Sequence, residues 1–463
     1  MRLNELLLNE RVDYMTDTFS KVYFITFIFL ITIDIKANTL NDVYNDLVKE
    51  ALKDSYEYQK INEELEQKKS QEHTTFTKLL PQIEARLSKE FNPDQRELGI
   101  KEEGKLSLEL EYPVYNKRNI IQHNTALEEL KGLENEKEII ETELKLNIRD
   151  LFGKYIVNTI KVNYVIRSIN RATQNYKYIE KGHKIGRISK LDYLRAKANL
   201  DILLAQLNQE ILLKHQSKEA ILNLLSKRSL PYDELLISKV FEKDVNTLSI
   251  IDHFNKNIPL LNKFKTLQQK LLHEKDTNRF IGLQFKKNHI QEQVDIIKSD
   301  TLKSGEWVDF DIRASLTNRT EKLSDIGGSK SSNEVILGAY LTVPLFSFGS
   351  SFSSSNEQHI AKTLAKKKRK QADTKLINSV YKDLSTIKTI QDNIEIQKEL
   401  VNKNEIVAKL SFKSYQLKKS DLESLLTSEK NLLNSKAKLI EDEMRLSSLL
   451  RGFLFKLGES IEY

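Results

Sequence analysis

The chain has 463 residues and a net charge of +7, with 14 glycines, 6 prolines and no cysteine. Tight turns depend on glycine and proline, so their scarcity argues against a many-stranded sandwich or a repeated α/β protein and favours long helices. The lack of cysteine excludes disulfides, thiolate metal sites and cysteine nucleophiles. The charge is modest for this length and does not indicate nucleic-acid binding, because a solvated helical surface carries both signs.

An apolar run near the start has the features of an export signal. Residues 22–33 are apolar, follow Lys21 and end shortly before Ala37. A basic flank, a short apolar core and a small residue are typical of a secretory signal peptide, and the core is too short to span a bilayer as a helix. We therefore expect residues 1–37 to be a signal peptide, with Met1 or Met15 as the true start. A buried helix of the folded domain is the alternative.

Two proline-free stretches, 114–230 and 345–463, carry apolar residues at spacings of three and four. This is the period of an amphipathic helix, and over such lengths it predicts coiled-coil-like packing. Each stretch has one interruption that resembles a helix end followed by a new N-cap, at Ser189-x-x-Asp192 and at Ser420-x-x-Glu423. The sequence therefore predicts two long helical hairpins. They cover residues 119–229 and 350–455.

Four shorter segments alternate between apolar and polar residues. They lie at about 82–91, 105–112, 307–316 and 335–343. Segments of this length and pattern are typical of tilted transmembrane β-strands with one face toward water. A soluble hairpin packed on helices is the alternative. Four strands cannot close a barrel, and lipid does not tolerate open edges, so a membrane barrel would require an oligomer.

The two halves of the chain share one internal spacing. Pro113 precedes Ser189 by 76 residues, and Pro344 precedes Ser420 by the same 76 residues, which relates the halves by a shift of 231. A proline and a serine that recur at the same spacing in each half indicate a duplicated unit. We expect a first repeat at 38–231 and a second repeat at 232–463, each with a β-hairpin and a long helical hairpin.

Several short motifs occur in a specific order around these elements. They are Leu80-Pro81 before the first strand, Tyr112-Pro113 at the end of the second, the segment 343–349 (VPLFSFG) and Gly186-x-x-Ser189-x-x-Asp192 at the first hairpin turn. In order and spacing the chain resembles the outer-membrane factor (TolC-like) family. The resemblance implies a mainly α fold with a small β part, assembled as a trimeric twelve-stranded outer-membrane β-barrel on a periplasmic α-helical tunnel.

The resemblance also implies a function and a set of partners. A homotrimer in outer-membrane lipid, with a long periplasmic extension, would act as the passive exit duct of a tripartite efflux pump or a type I secretion system. Its partners would be a periplasmic adaptor (membrane fusion) protein and, through it, a proton-driven or ATP-driven inner-membrane pump. Neither the substrate nor the energy source of that pump can be read from these residues.

Site residues follow from the same resemblance. It implies that the hairpin turns contact the adaptor, through Gly186, Arg187, Ile188, Ser189, Lys418, Lys419 and Ser420. It implies acids at the periplasmic aperture, for which Glu423 and Asp192 are the candidates. A second acid that the family often places one turn after Glu423 is replaced by Leu426. Capping of a helix N-terminus is the alternative role for both acids, because the helix dipole favours a carboxylate there.

The remaining patterns indicate neither catalysis nor a bound cofactor. The eight histidines show no metal-binding spacing, so we expect no enzyme activity, no metal and no cofactor. The basic run 366–370 is typical of a solvated helix face, and we expect it to meet the acids near Glu134, Glu136 and Glu138 of the first repeat. The alternative to a channel is an exported periplasmic coiled-coil protein without a pore. The alternating strands and the equal spacings favour the channel.

Overall fold

The computed structural model describes residues 40–94, 99–227, 251, 257–273, 282–320, 332–344, 350–417 and 419–459. The predicted signal peptide, the predicted repeat boundary at 231/232 and Lys418 lie outside the described residues. The described chain is mainly helical with one small antiparallel sheet, as predicted.

The helices and strands follow one another in two similar series. The helices are α1 (40–54), α2 (Tyr56–Thr77), α3 (Lys117–Lys184), α4 (Lys190–Leu225), α5 (Asn257–His273), α6 (Leu283–Asp300), α7 (Ser350–Gln416) and α8 (Leu422–Leu457). The strands are β1 (Gln82–Asp94), β2 (Gly99–Asn116), β3 (Asp309–Thr320) and β4 (Ser332–Thr342). A 3₁₀ turn, Thr301–Glu306, joins α6 to the segment before β3.

The two helical hairpins are nearly equal in length. Helix α3 has 68 residues and α4 has 36, whereas α7 has 67 and α8 has 36. The two hairpins are related by a displacement of 232 positions. It applies to the last residue of the first helix and to both ends of the second helix. The helical register of the two halves therefore differs by one residue from the 231 that the proline and serine landmarks predict.

The chain divides into two compact units, each described on its own. The helical unit contains the described residues up to Gln59, those of Ile140–Gly282 and those from Asn378 onward. The sheet unit contains Lys60–Ile139 and the described residues of Leu283–Ile377. None of the described helices is both long enough and hydrophobic enough to cross a membrane.

Helix α8 forms the centre of the helical unit, because half of its 36 residues are buried. One apolar cluster joins it to α1, α3 and α4 around Phe152, Tyr155 and Ile440, and a second joins it to α5 and α7 around Phe264 and Phe453. Helix α4 contrasts with it. Its buried residues are Ala196, Ser217, Ile221, Leu222 and Leu225, so most of α4 has a solvent-facing side.

The sheet has the strand order β1-β2-β3-β4, and every neighbouring pair is antiparallel. The register aligns the apolar positions of the four strands into continuous rows. One row is Ile83–Leu110–Ala314–Leu337, and the next is Ala85–Leu108–Leu316–Val335. Because side chains alternate along a strand, the residues of these rows share one face of the sheet. The predicted alternation is therefore confirmed as a single apolar face.

The strands are longer than the segments that the alternation marks. Strand β2 continues past Pro113 to Asn116, with a β-bulge between Pro113 and Tyr115. A bulge is one of the few places in a sheet where proline is accepted, because the extra residue lies outside the ladder. The strand therefore ends four residues beyond the predicted end at about residue 112, and the motif at residues 112–115 lies at its close.

Helix α6 forms ion pairs with both α3 and α7 in the sheet unit. Arg369 Nη1 lies 2.8 Å from Glu292 Oε2, and Lys287 Nζ lies 2.8 Å from Glu136 Oε1. Lys298 Nζ lies 2.5 Å from Glu129 Oε1. Arg369 of the basic run and Glu136 of the first repeat are thus each paired with α6. For these two residues the direct pairing that the sequence predicts is not found, because α6 supplies their partners.

The carboxylate of Glu129 pairs with two lysines in this region. Lys298 and Lys68 both form ion pairs with it, which ties α3 to α6 and to α2. Burial alone would raise the pKa of Glu129, but the hydrogen bonds from Lys298 and Lys68 outweigh it and hold the pKa below its usual value. The charged form of Glu129 therefore stabilises the sheet unit.

Candidate functional site

The first hairpin tip is a tight turn between α3 and α4. Gly186 has a φ of +71°, in the left-handed region that glycine adopts without strain. The N–H groups of Arg187 and Ile188 donate to the carbonyl of Gly182, at 2.8 Å and 3.2 Å. A Cβ at Gly182 would lie 2.5 Å from Ile188 Cδ1. The two glycines therefore let the chain reverse and let Ile188 fold back onto the end of α3.

Ser189 is the N-cap of α4, as predicted. Its hydroxyl oxygen accepts a hydrogen bond from the Asp192 N–H at 3.0 Å and donates to Asp192 Oδ2 at 2.9 Å. The cap satisfies one of the helix N–H groups that have no partner within the helix. The carboxylate of Asp192 is engaged in this local contact, so the capping role is the one that the geometry supports for Asp192.

The second tip uses a different cap from the one predicted. Asp421, not Ser420, is the N-cap of α8, and its side chain accepts from the Ser424 N–H at 3.1 Å. The Ser420 hydroxyl is buried and has no hydrogen-bond partner in the described chain. The predicted Ser420-x-x-Glu423 capping box is therefore wrong by one residue. Asp421 is itself a strong capping residue. Because it is the N-cap, α8 begins 232 residues after α4, the same displacement that relates the ends of the two hairpins.

Glu423 lies in the first turn of α8 and is exposed. Its Oε2 is 3.5 Å from Nη2 of Arg195 on α4, and both side chains are largely open to solvent. An exposed pair of this kind contributes little stability, about 0–1 kcal/mol. Since Asp421 holds the cap, the weak ion pair with Arg195 is the contact that the described structure gives the Glu423 carboxylate.

Beneath both tips lies an aromatic and aliphatic cluster. Tyr176 donates a hydrogen bond to the Tyr193 hydroxyl at 3.1 Å, and the His183 ring stacks on Tyr193 with 5.1 Å between ring centroids. The hydrogen bond to Tyr193 is the main cause that raises the pKa of Tyr176 to about 12. Burial, with the nearby charge of Asp192, raises the pKa of Tyr415 to about 12. The cluster is completed by Ile179 of α3, Ile188 of the turn, Ala196 of α4, and Leu422, Leu425 and Leu426 of α8.

The surface of the tips is basic. Near the first turn the exposed cations are Lys181, Lys184, Arg187 and Lys190, and near the second they are Lys413 and Lys419. Gly186, Arg187, Ser189 and Lys419 are exposed, whereas Ile188 and Ser420 are half-buried. The tips therefore present charge and backbone to a partner, together with the exposed apolar side chains of Ile185, Leu191 and Leu417.

Comparison with solved structures places this architecture among known channels. CusC, whose structures concern transmembrane channel formation, aligns with a TM-score of 0.73 and 12% identity over 90% of this chain and 92% of its own. The outer membrane protein VceC of Vibrio cholerae aligns with a TM-score of 0.71 and 14% identity over 90% and 97%. The CmeC outer membrane channel of Campylobacter jejuni aligns with a TM-score of 0.70 and 14% identity over 90% and 85%. The chain has the outer-membrane factor fold.

No protein-family model matches the chain, and no curated protein matches it by sequence. The outer-membrane factor fold is thus recognised through the three-dimensional structure. The resemblance expected from the order of short motifs is confirmed at the level of fold.

Within this outer-membrane factor fold, sequence reasoning missed two features of the tips. The first is the aromatic cluster, in which Tyr176, His183 and Tyr193 meet within the first hairpin and Tyr415 joins them from the second. The second is Glu429, a half-buried acid of α8. Burial raises the pKa of Glu429, although Arg171 and a hydrogen bond from Asn175 oppose the rise. Glu429 lies six residues after Glu423, which is not a helical spacing, so the periodicity of α8 gives no signal for it.

Proposed function

We propose that this chain forms a homotrimer whose sheets close into a twelve-stranded β-barrel in the outer membrane, and that it acts as a passive exit duct. The observation that carries the proposal is the sheet: its apolar face is uncovered, and its two outer edges are unpaired among the described residues. Leu337 is 77% exposed, Val335 74% and Ile83 73%. No soluble protein gains by leaving such a face in water.

The chemistry of the two faces supports a barrel with a wet interior. On the polar face Arg313 pairs with Glu111 at 3.0 Å across β2 and β3, and its guanidinium lies 5.1 Å from the centroid of the Tyr340 ring. A depression of about 250 Å³ on this face is lined by Gln82, Glu84 and other polar side chains. Lipid on one face and water on the other is the arrangement that transmembrane barrels use. Lipid does not tolerate open edges, so four strands per copy require several copies to close a barrel. The outer-membrane factor fold supports three copies, which make twelve strands.

We propose that the hairpin tips bind a periplasmic adaptor protein, and through it an inner-membrane pump. The residues are Gly186, Arg187, Ile188, Ser189, Lys418, Lys419 and Ser420, of which Lys418 lies outside the described residues. The support is that the described turns are exposed and carry several cations. A tripartite efflux pump and a type I secretion system both fit this role.

The aperture acids are part of the same proposal. Glu423 is exposed, and the helix cap beside it is supplied by Asp421, which supports a ring of Glu423 side chains in the pore. Asp192 would contribute to the same ring from the first tip while also holding its turn. The signal peptide 1–37 and the tandem repeats 38–231 and 232–463 complete the proposal, and the matching lengths of the two helical hairpins support the repeats.

The test is fractionation of cells that express the full-length chain. We expect it in the outer membrane as a trimer that survives SDS at room temperature and dissociates on boiling. The purified trimer should conduct ions in a planar bilayer. Recovery as a soluble periplasmic monomer would contradict the proposal and support an exported coiled-coil protein without a pore.

A further inference from the structure

The helical unit contains a pocket of about 620 Å³ that α3, α4 and α8 line together. Apolar side chains from all three helices form much of its wall: Leu151 and Val157 of α3, Leu213 and Ala220 of α4, and Met444 of α8. Proteins bind small organic molecules in pockets of roughly 300–1,000 Å³. The pocket is therefore large enough for an organic ligand and much larger than a simple inorganic ion requires.

The pocket exists in part because α3 carries a glycine at position 153. Gly153 is buried and lines the pocket. A Cβ at this position would lie 2.8 Å from Cε of Met444, the end of a flexible side chain. Glycine weakens the interior of a helix relative to residues with a side chain. Gly153 thus keeps space open beside α8 at the expense of helix stability, and a larger residue there would occupy the pocket.

The charge around the pocket is mainly positive. Its charged lining consists of three cations, Arg149, Lys154 and Arg445, and two acids, Asp150 and Glu441. The Glu441 carboxylate already forms an ion pair with Lys161 of α3. Lys154 and Arg445 are exposed, and neither forms an ion pair with any residue that the structure describes. The pocket therefore offers two accessible cations at its mouth, opposed there by the single carboxylate of Asp150.

Arg149 adds a buried positive charge to the same pocket. Its side chain is 4% exposed, and its guanidinium carbon lies 4.7 Å from the centroid of the Tyr44 ring. Burial lowers the pKa of Arg149 well below its usual value, and the neighbouring cation Arg451 lowers it further. Surroundings that disfavour a positive charge favour a negative group beside it. An anion in the pocket would therefore stabilise the charged form of Arg149.

We propose that this pocket binds an organic anion with an apolar body, of the class of aryl or short alkyl sulfonates and carboxylates. The apolar body contacts Leu213 and Met444, and the anionic group lies near Lys154 and Arg445. An inorganic anion would leave the apolar wall uncovered, and an organic cation would be repelled at the mouth. The inference goes beyond the proposed exit duct, because the pocket lies within one copy of the chain.

The chain contains no cysteine, so one introduced cysteine can report on the pocket without background substitutions. The test variant is Ala220→Cys, on the pocket wall, in the purified full-length protein. The matched control is His215→Cys, at an exposed position of the same helix that does not line the pocket. The measurement is the rate at which N-ethylmaleimide labels each cysteine while naphthalene-1-sulfonate is added.

We expect naphthalene-1-sulfonate to slow the labelling of Ala220→Cys and to leave the labelling of His215→Cys unchanged. At about ten times the dissociation constant, about a tenth of the pockets stay free, so the rate should fall about tenfold. The compound 1-naphthylmethylammonium has a similar apolar body and a positive charge. It should protect at least about tenfold more weakly, because Lys154 and Arg445 repel it.

Substitutions in the pocket test the roles of charge and space. Lys154→Gln with Arg445→Gln should weaken protection by the sulfonate about tenfold, since a unit charge about 5 Å away in water changes an affinity about fourfold before screening by salt. Asp150→Asn, at the same mouth, should strengthen protection. Gly153→Leu should remove it, because the new side chain fills the pocket. Leucine is a better helix former than glycine, so α3 should be retained.

Several results would overturn the inference. Undiminished labelling of Ala220→Cys in the presence of the sulfonate, or no labelling of it at all, would show that no ligand of this size enters the pocket. Equal protection by the sulfonate and the ammonium compound would contradict an anion site. Protection that persists in Gly153→Leu, or that also occurs at His215→Cys, would show that the sulfonate acts elsewhere. The exit duct fails by a different result, the absence of a trimer.

Discussion

A single arginine on the apolar face of the sheet should prevent membrane assembly, whereas an arginine on the neighbouring residue should not. Leu337 lies on the apolar face and Ile336 on the polar face of β4, and both are exposed aliphatic side chains. Leu337→Arg and Ile336→Arg therefore make almost the same chemical change one residue apart. Only the face differs.

The size of the expected effect follows from the dimensions of the sheet. The apolar face of β2 runs from Leu106 to Tyr115, about 31 Å along the strand at 3.4 Å per residue. With the strands tilted by about 40°, this spans about 23 Å of membrane, close to the ~25 Å apolar band of outer-membrane barrels. The row that contains Leu110 and Leu337 lies at its middle. Arginine there costs about 2–4 kcal/mol per copy, or about 6–12 kcal/mol per trimer, comparable with the whole stability of a typical domain.

The assay is the yield of heat-modifiable trimer in the outer-membrane fraction. We expect Leu337→Arg to abolish the trimer and Ile336→Arg to leave it near the wild-type level, because the new guanidinium would lie in water near Glu109 and Glu84. Leu341→Arg, two rows nearer the end of the apolar face, should have a smaller effect. Equal losses from Leu337→Arg and Ile336→Arg would refute the assignment of faces, and normal assembly of both would refute the barrel.

Three further predictions concern the tips and the sheet unit. Gly186→Ala should cost about 1–2 kcal/mol locally, because its φ of +71° is strained for any residue with a Cβ, and trypsin should then cut faster at Arg187 in the folded protein. Glu423→Gln should leave the unfolding temperature unchanged and reduce the cation preference of the trimer in planar bilayers; unchanged selectivity would exclude Glu423 from the pore. The pKa of Glu129 is lowered in the folded state, so its stabilising effect is complete above its ordinary pKa and is lost as the pH falls through the folded-state pKa. The free energy of unfolding, measured with urea, should therefore fall less on acidification for Glu129→Gln than for the wild type.

The parts of the fold that the sequence predicts well are those governed by one local period. The alternation around Leu108 and Leu316 identifies strands and faces, because a sheet exposed on one side to an apolar environment requires period two along every strand. The turn at Gly186 and the cap at Ser189 are equally local, since a left-handed residue and an N-cap each depend on a few neighbouring residues.

The parts that the sequence does not predict depend on competition or on distant contacts. At the second tip Ser420 and Asp421 are both capping residues, and only the packing of Leu422 and Leu425 beneath the turn decides which one is used. Helix α6 was missed because its 18 residues mix charged and apolar positions, and its ion pairs link it to residues about 80 to 170 positions away. Glu129 could not be identified for the same reason, because both of its lysine partners come from other helices.

The proposed oligomer requires the sheet unit to close on itself. The outer strands β1 and β4 each have one edge that is unpaired among the described residues. In a symmetric ring one rotation relates neighbouring copies, so it would join β1 of one copy to β4 of the next. Closure of four strands per copy into twelve would fix that rotation at one third of a turn. A different number of copies in the purified oligomer would therefore contradict the twelve-stranded barrel.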